Sequence, residues 1–245
     1  EETLESFKEG LFRLIDEINY HNYIGIYVMV ALPNTPFGDP EYLKKYGVKI
    51  MQTSPAFYHH EHPPEELMKD VNDVVVGSNS MTFDEYIEAS LWKWYMISMH
   101  FLGWLRILAL DLKKYHGISH REFYTKLFNW FMQHTHTLLH KEYTITKRLI
   151  HKVFKREIPW GRKVSDVSEI YWEYEEATVI HIARNKRRFY EEICEFIDEE
   201  YDFDCKIINN QYKKMKDPYE HYDGDIEKWA RECVWWGRRA ERFFV

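Results

Sequence analysis

The sequence predicts a mainly α-helical (α+β) protein: a multi-helix domain with a small parallel β element near its N-terminus. Three observations carry that expectation. Long stretches show apolar residues at helical spacing, and several follow capping-box tetrads such as Ser6-Phe-Lys-Glu9, Thr82-Phe-Asp-Glu85 and Ser119-His-Arg-Glu122. One segment, Tyr23–Leu32, is a near-continuous run of Ile, Val and Tyr, which suits a strand buried on both faces. A second short strand is expected at Val74–Val76.

In chain order, a first helix carries Phe7, Leu11, Leu14, Ile15 and Ile18 on one face before Asn19 and Asn22 stop it. The strand run then enters the turn-rich segment Leu32–Pro40, followed by one helical turn at Glu41–Tyr46. Residues 51–70 hold Pro55, Pro63 and Pro64 and read as a long surface loop. From Phe83 to about Tyr115 one long helix is expected. It is apolar almost all round between Leu91 and Leu112, and so should be the central buried helix. Further helices are expected at about 120–134, 137–155, within Trp172–Tyr201, at 203–216 and at 224–240. In domain terms, residues 1–80 read as a terminal helix–strand unit of a barrel-like α/β region with a long loop, and 81–245 as a helical C-terminal domain.

Composition narrows the function classes. A net charge of −7 argues against broad nucleic-acid binding, because phosphate backbones need basic surface. The 17% aromatic share predicts thick cores between helices. The most apolar run, Leu91–Leu110, carries Lys93, His100 and Arg106, which favours a buried helix over a membrane span. Three Cys at wide spacing, Cys194, Cys205 and Cys233, argue against a disulfide framework and for a reducing, cytoplasmic setting. Residues 1–10 are charged and helical in pattern, unlike a signal peptide, and the absence of a starting Met fits a piece of a longer chain.

Among the thirteen His, His134, His136 and His140 come closest to a metal set, since 136 and 140 lie one helical turn apart. No Glu-x-x-His or His-Glu-x-x-His supports them, so a polar helix junction is the default. His59, His60 and His62 read as solvated loop residues. Lys93, His100 and Asp111 stand seven and eleven residues apart, which on one continuous helix makes a narrow polar stripe. The cluster Lys147, Arg148, Lys152, Lys155, Arg156, Arg162 and Lys163 reads as a solvated helix face before it reads as an anion site.

The segment Leu32-Pro-Asn-Thr-Pro-Phe-Gly-Asp-Pro-Glu-Tyr-Leu-Lys-Lys-Tyr-Gly-Val48 resembles the end of the barrel in cobalamin-binding-type radical S-adenosylmethionine proteins. The matching residues are Asn34, Asp39-Pro40, Tyr42 and Lys45-Tyr46-Gly47. The resemblance continues through Val74–Thr82, His100, Gly103, Gly117–Phe123, Glu175-Glu-Ala177, Arg188-Phe-Tyr190, Gln211 and Trp236-Gly-Arg-Arg239. It implies the last helix–strand unit of the barrel plus a helical C-terminal extension. Upstream radical and cobalamin domains would be its partners, and [4Fe–4S], S-adenosylmethionine and cobalamin the cofactors of the full-length family. None is expected in this chain, which lacks a Cys-x-x-x-Cys-x-x-Cys run. On that resemblance Asn34, Asp39 and His100 are the substrate-facing candidates; turn chemistry explains Asn34 and Asp39 equally well. No catalytic residue is assigned. The rival readings are a stand-alone helical binding or assembly protein, or a His-based metalloprotein, and a homo-oligomer stays open.

Overall fold

The structure is a computed structural model that describes residues 2–61 and 70–201. Within these lie α1 (Leu4–Asp16), α2 (Pro40–Tyr46), β1 (Lys49–Thr53), β2 (Asn72–Gly77), α3 (Phe83–Met96), α4 (Arg106–His116), α5 (His120–Gln133), α6 (Leu138–Phe154), β3 (Arg162–Val164), β4 (Ser168–Trp172), α7 (Tyr174–Arg184) and α8 (Lys186–Glu200). The mainly helical class holds. The helices expected at 203–216 and 224–240 fall outside the described residues.

The chain divides into two compact units. Unit 1 takes the residues up to Gly10, then Gly25–Trp94 and Ile145–Tyr174. Unit 2 takes Leu11–Ile24, Tyr95–Thr144 and the residues from Glu175 on. Residues 1–80 and 81–245 therefore each contribute to both units.

Unit 1 carries the sheets, and both are antiparallel. β1 pairs with β2 from Lys49 opposite Gly77 to Thr53 opposite Asn72, with an irregularity after Lys49. β3 and β4 form a hairpin with Arg162 opposite Trp172. The parallel element is thus corrected: parallel pairing among the described residues is confined to isolated bridges, Ala56 with Trp160 and Tyr58 with Tyr171. The strand at Tyr23–Leu32 is corrected as well. The segment is extended, but only Val30 bridges β2, at Val74. Ala31 N–H donates to the Asp73 carbonyl at 2.7 Å and Val75 N–H to the Met29 carbonyl at 2.9 Å. Tyr27 is 84% exposed, so the run is not buried on both faces. A strand can bury both faces only when neighbours take up its backbone groups.

The expected 51–70 loop also differs. Residues up to Thr53 are strand, and Thr53 and Ser54 are buried. The Trp160 indole N–H donates to Thr53 Oγ1 at 3.0 Å, while His59 N–H donates to the Tyr171 carbonyl and Tyr171 N–H to that of His60. Phe154 and Trp160 meet edge to face beside this hairpin. His62 lies outside the described residues.

Local start signals read true in most places. Asp39 Oδ1 accepts the Glu41 N–H at 2.9 Å and so caps α2, with Pro40 at the first helical position. Thr82 and Glu85 form the reciprocal capping box of α3. Ser119 Oγ accepts the Glu122 N–H of α5. At α1 the box shifts: the helix starts at Leu4, and Thr3 and Ser6, rather than Ser6 and Glu9, exchange backbone-to-side-chain bonds. On its face Leu11 and Ile15 are buried as expected, but Ile18 is 64% exposed beyond the helix end.

The long helix expected at 83–115 is broken within unit 2. After α3 the chain forms a π turn at Ile97–Phe101, where Leu102 N–H reaches back to the Ile97 carbonyl at 2.7 Å. Gly103 then takes φ +98°, a conformation costly for residues with a Cβ. The apolar run is still the core: Leu105, Leu108, Ala109 and Leu112 have no exposed surface. Phe123, Leu127 and Phe131 of α5 and Phe189 and Phe196 of α8 are fully buried as well, with Phe189 against Trp104 and Phe196 against Phe123. No single described helix is long and apolar enough to cross a membrane.

Candidate functional site: a buried imidazole cluster in unit 2

The break at 97–105 turns His100 inward, with no exposed surface. The chain leaving α1 brings His21 against it, and α5 brings His120 and Tyr124. The ring centroids of His21, His100 and His120 stand 5.2, 5.3 and 5.4 Å apart. His100 Nδ1 lies 3.0 Å from the Tyr124 hydroxyl, and His100 Nε2 lies 3.1 Å from His21 Nδ1. His21 Nε2 lies 2.9 Å from the Asn19 amide oxygen.

The direction of these bonds follows from the last acceptor. An amide oxygen only accepts, so His21 Nε2 carries the proton and, in the neutral ring, Nδ1 accepts. His100 Nε2–H therefore donates to His21, and the Tyr124 O–H donates to His100 Nδ1. The neutral state is the one the surroundings favour. Burial, then the neighbouring His120 and the cations Arg106 and Lys113, push His21 down to about 4 from 6.5, with Asp16 opposing. Burial holds His100 well below the ordinary histidine range, with His120, His21 and Arg106 adding to it.

A second set joins at Asp16, the last residue of α1. Its Oδ1 accepts from His120 Nδ1 at 2.7 Å, from Lys113 Nζ at 3.1 Å and from the His120 N–H at 3.1 Å. Its Oδ2 accepts the Arg121 N–H at 3.0 Å. A carboxylate at the N-terminus of α5 satisfies free backbone donors and meets the positive end of the helix dipole. Burial raises the Asp16 carboxyl, but the bonds from His120, Arg121 and Lys113 outweigh it and leave it below its ordinary value. The carboxylate fixes the His120 proton on Nδ1. His120 Nε2 is then a buried lone pair with no hydrogen-bond partner among the described residues. Arg106 Nη1 closes the group by donating to the His21 carbonyl at 2.7 Å.

The other candidates separate. Asn34 is exposed in the turn before Pro36–Gly38 of unit 1, and Asp39 is exposed while capping α2. His100 belongs to unit 2. Lys93 lies in α3, and the break after it removes the single stripe with His100 and Asp111. His134, His136 and His140 face different acceptors. His134 Nδ1 donates to the Trp130 carbonyl at 2.8 Å, and His140 Nδ1 to that of Phe131 at 3.1 Å. His136 Nε2 lies 3.9 Å from Glu195. Among the described residues no three His, Cys, Asp or Glu are arranged to hold a metal ion. The chain's residues do not fit a [4Fe–4S] cluster held in the family's way either, since the sequence has no Cys-x-x-x-Cys-x-x-Cys run.

Sequence reasoning singles out His100, as a substrate-facing candidate, and assigns no role to Asp16, His21, His120 or Tyr124. Asp16 and His120 are 104 positions apart, so no spacing rule joins them. The one local signal is Ser119, whose cap places His120 in the first turn of α5.

No protein-family model matches the chain. Over 210 residues, 80% of its length, it is 26% identical to the 2-(S-pantetheinyl)-carbapenam-3-carboxylate methyltransferase of Streptantibioticus cattleyicolor. Over 152 residues, 61% of its length, it is 28% identical to the cobalamin-dependent radical SAM methyltransferase TokK of Streptomyces tokunonensis. The matches take in 30% and 22% of those proteins. The chain is thus similar to part of two methyltransferases, one of them a cobalamin-dependent radical SAM enzyme, and it spans less than a third of the curated relatives it matches.

Proposed function

We propose that this chain is the C-terminal part of a cobalamin-dependent radical SAM methyltransferase, supplying substrate pocket or domain docking and not competent alone. The observation that carries the reading is the pairing of a match over most of this chain with under a third of each relative. The missing Cys triplet supports it, because the cluster that starts radical chemistry needs those thiolates. On this reading residues 1–80 are the terminal helix–strand unit of the barrel and 81–245 the helical extension. The radical and cobalamin domains are then upstream partners in one polypeptide. Asn34 and Asp39 are the substrate-facing candidates that remain exposed. His100 is enclosed, and its part is played through the imidazole cluster.

The test compares this chain with the full reading frame. The upstream sequence should contain a Cys-x-x-x-Cys-x-x-Cys run. After anaerobic reconstitution the full protein should bind a cluster and cleave S-adenosylmethionine, while this chain does neither. A stoichiometric cluster and reductive cleavage by this chain alone would falsify the reading.

A further inference from the structure

Tyr124, His100 and His21 form one line of oriented hydrogen bonds, from a sealed phenol to a half-buried ring. Tyr124 and His100 have no exposed surface, whereas His21 is part-exposed and Asn19 is exposed. Every donor points the same way, outward from the phenol: the Tyr124 O–H to His100, His100 Nε2–H to His21, His21 Nε2–H to Asn19.

A phenol in this position cannot lose its proton alone. Burial raises its pKa well above 10, because a phenolate would be a charge in an apolar core. Loss of an electron alone would leave a buried cation, which is costly for the same reason. Loss of both together leaves a neutral phenoxyl, provided that a base accepts the proton. His100 Nδ1 is that base.

We propose that Tyr124 is a redox-active tyrosine whose proton leaves through His100 and His21 when an external metal-complex oxidant, acting at a distance from the sealed phenol, takes one electron. The oxidant gains one electron. The Tyr124 Oη–H bond breaks and an N–H bond forms at His100 Nδ1. The His100 Nε2–H bond breaks and one forms at His21 Nδ1, and His21 passes its extra proton to solvent water. One electron and one proton have left, and Tyr124 is a neutral radical. The second transfer follows from burial: an imidazolium at His100 would be sealed from water, while at His21 it can be hydrated. The neighbouring Tyr95 has a different arrangement. Its hydroxyl donates to the Tyr124 backbone carbonyl at 3.1 Å, and an amide oxygen is too weak a base to take that proton.

The proposal is independent of the family relation and is tested on this chain. Tyr20, Tyr27 and Tyr115, 37%, 84% and 65% exposed, are first replaced by Phe so that they do not compete. A photo-oxidised ruthenium polypyridyl complex with a sacrificial acceptor supplies the oxidant, and electron paramagnetic resonance reads the product. The expected result is a phenoxyl signal that is lost in Tyr124→Phe, strongly reduced in His100→Phe and slower to form in D2O. His21→Phe should slow formation while the fold, read by circular dichroism, is kept. If His100→Phe does not fold, the D2O effect and His21→Phe decide. A signal that survives Tyr124→Phe, or a rate indifferent to D2O and to both histidine variants, overturns the proposal.

Discussion

Two apolar runs of this chain meet opposite fates. Leu91–Leu112 is helical for most of its length, and its core positions have almost no exposed surface. Tyr23–Leu32, just as apolar in sequence, stays extended and leaves Tyr27, Met29 and Leu32 exposed. The difference is in where the backbone bonds go. A helix satisfies its own N–H and C=O groups and can be wrapped in apolar neighbours. An extended segment needs a neighbour at each edge before it can leave water. Here β2 bonds to residues 29–31. Apolar composition therefore sets the tendency to bury, and backbone pairing decides whether burial happens.

The largest test of that contrast is Leu108→Ala. Leu108 is fully buried on α4, and its truncation should cost about 2–5 kcal/mol, measured by urea denaturation. Tyr27→Ala, at the opposite extreme, should change stability by no more than about 0.5 kcal/mol in the same assay. Comparable losses at both sites would mean that the extended run is buried in solution.

The polar part of unit 2 should be the next most sensitive. Asp16→Ala leaves Lys113, His120 and two backbone N–H groups of α5 without their acceptor, and should cost about 1.5–3 kcal/mol. Asp16→Asn, which keeps one acceptor oxygen, should lose less. Equal losses for the two variants would show that packing, not hydrogen bonding, holds this site.

Acid should weaken the same region. His21 is held at about 4 against 6.5 for a free histidine, and His100 is shifted in the same direction. Between those pH values the unfolded chain binds more protons than the folded one, so stability falls as pH drops through that window. The loss from His21 should be on the order of 1–3 kcal/mol. Asp16, also depressed, extends the loss to lower pH as its carboxylate is protonated. Melting temperatures across the window should fall for the native chain and flatten in His21→Asn. A flat profile in the native chain would place these rings in water.

The smallest effect is at a helix end. Ser119→Ala removes the cap of α5 and should cost about 1 kcal/mol. Because that cap also sets the turn holding His120, the carbon shifts of the His120 ring should move with it. An unchanged ring environment would show that Asp16 alone holds it.

Much of the fold was legible because its signals are local. Thr82, Ser119 and Asp39 each sit at a helix start, and each side chain takes a backbone N–H there. The apolar girdle of Leu91–Leu112 likewise marks the core, since no arrangement exposes that much surface cheaply. The helical class and most helix ends follow from such features. The bend at 97–105 does not, although Gly103 stands at the turn; a π turn is a choice of hydrogen-bond register that side-chain pattern hardly constrains. The strand pairings are hidden for a similar reason. β1 meets β2 across a long insertion, and the hand of that pairing depends on the path between them. The imidazole cluster is the furthest from the sequence. Asp16, His21, His100, His120 and Tyr124 come from four separate segments, and each alone is an ordinary polar residue. Only the tertiary structure removes water from around them, and that removal holds the rings neutral, orients their protons and leaves one lone pair unmet.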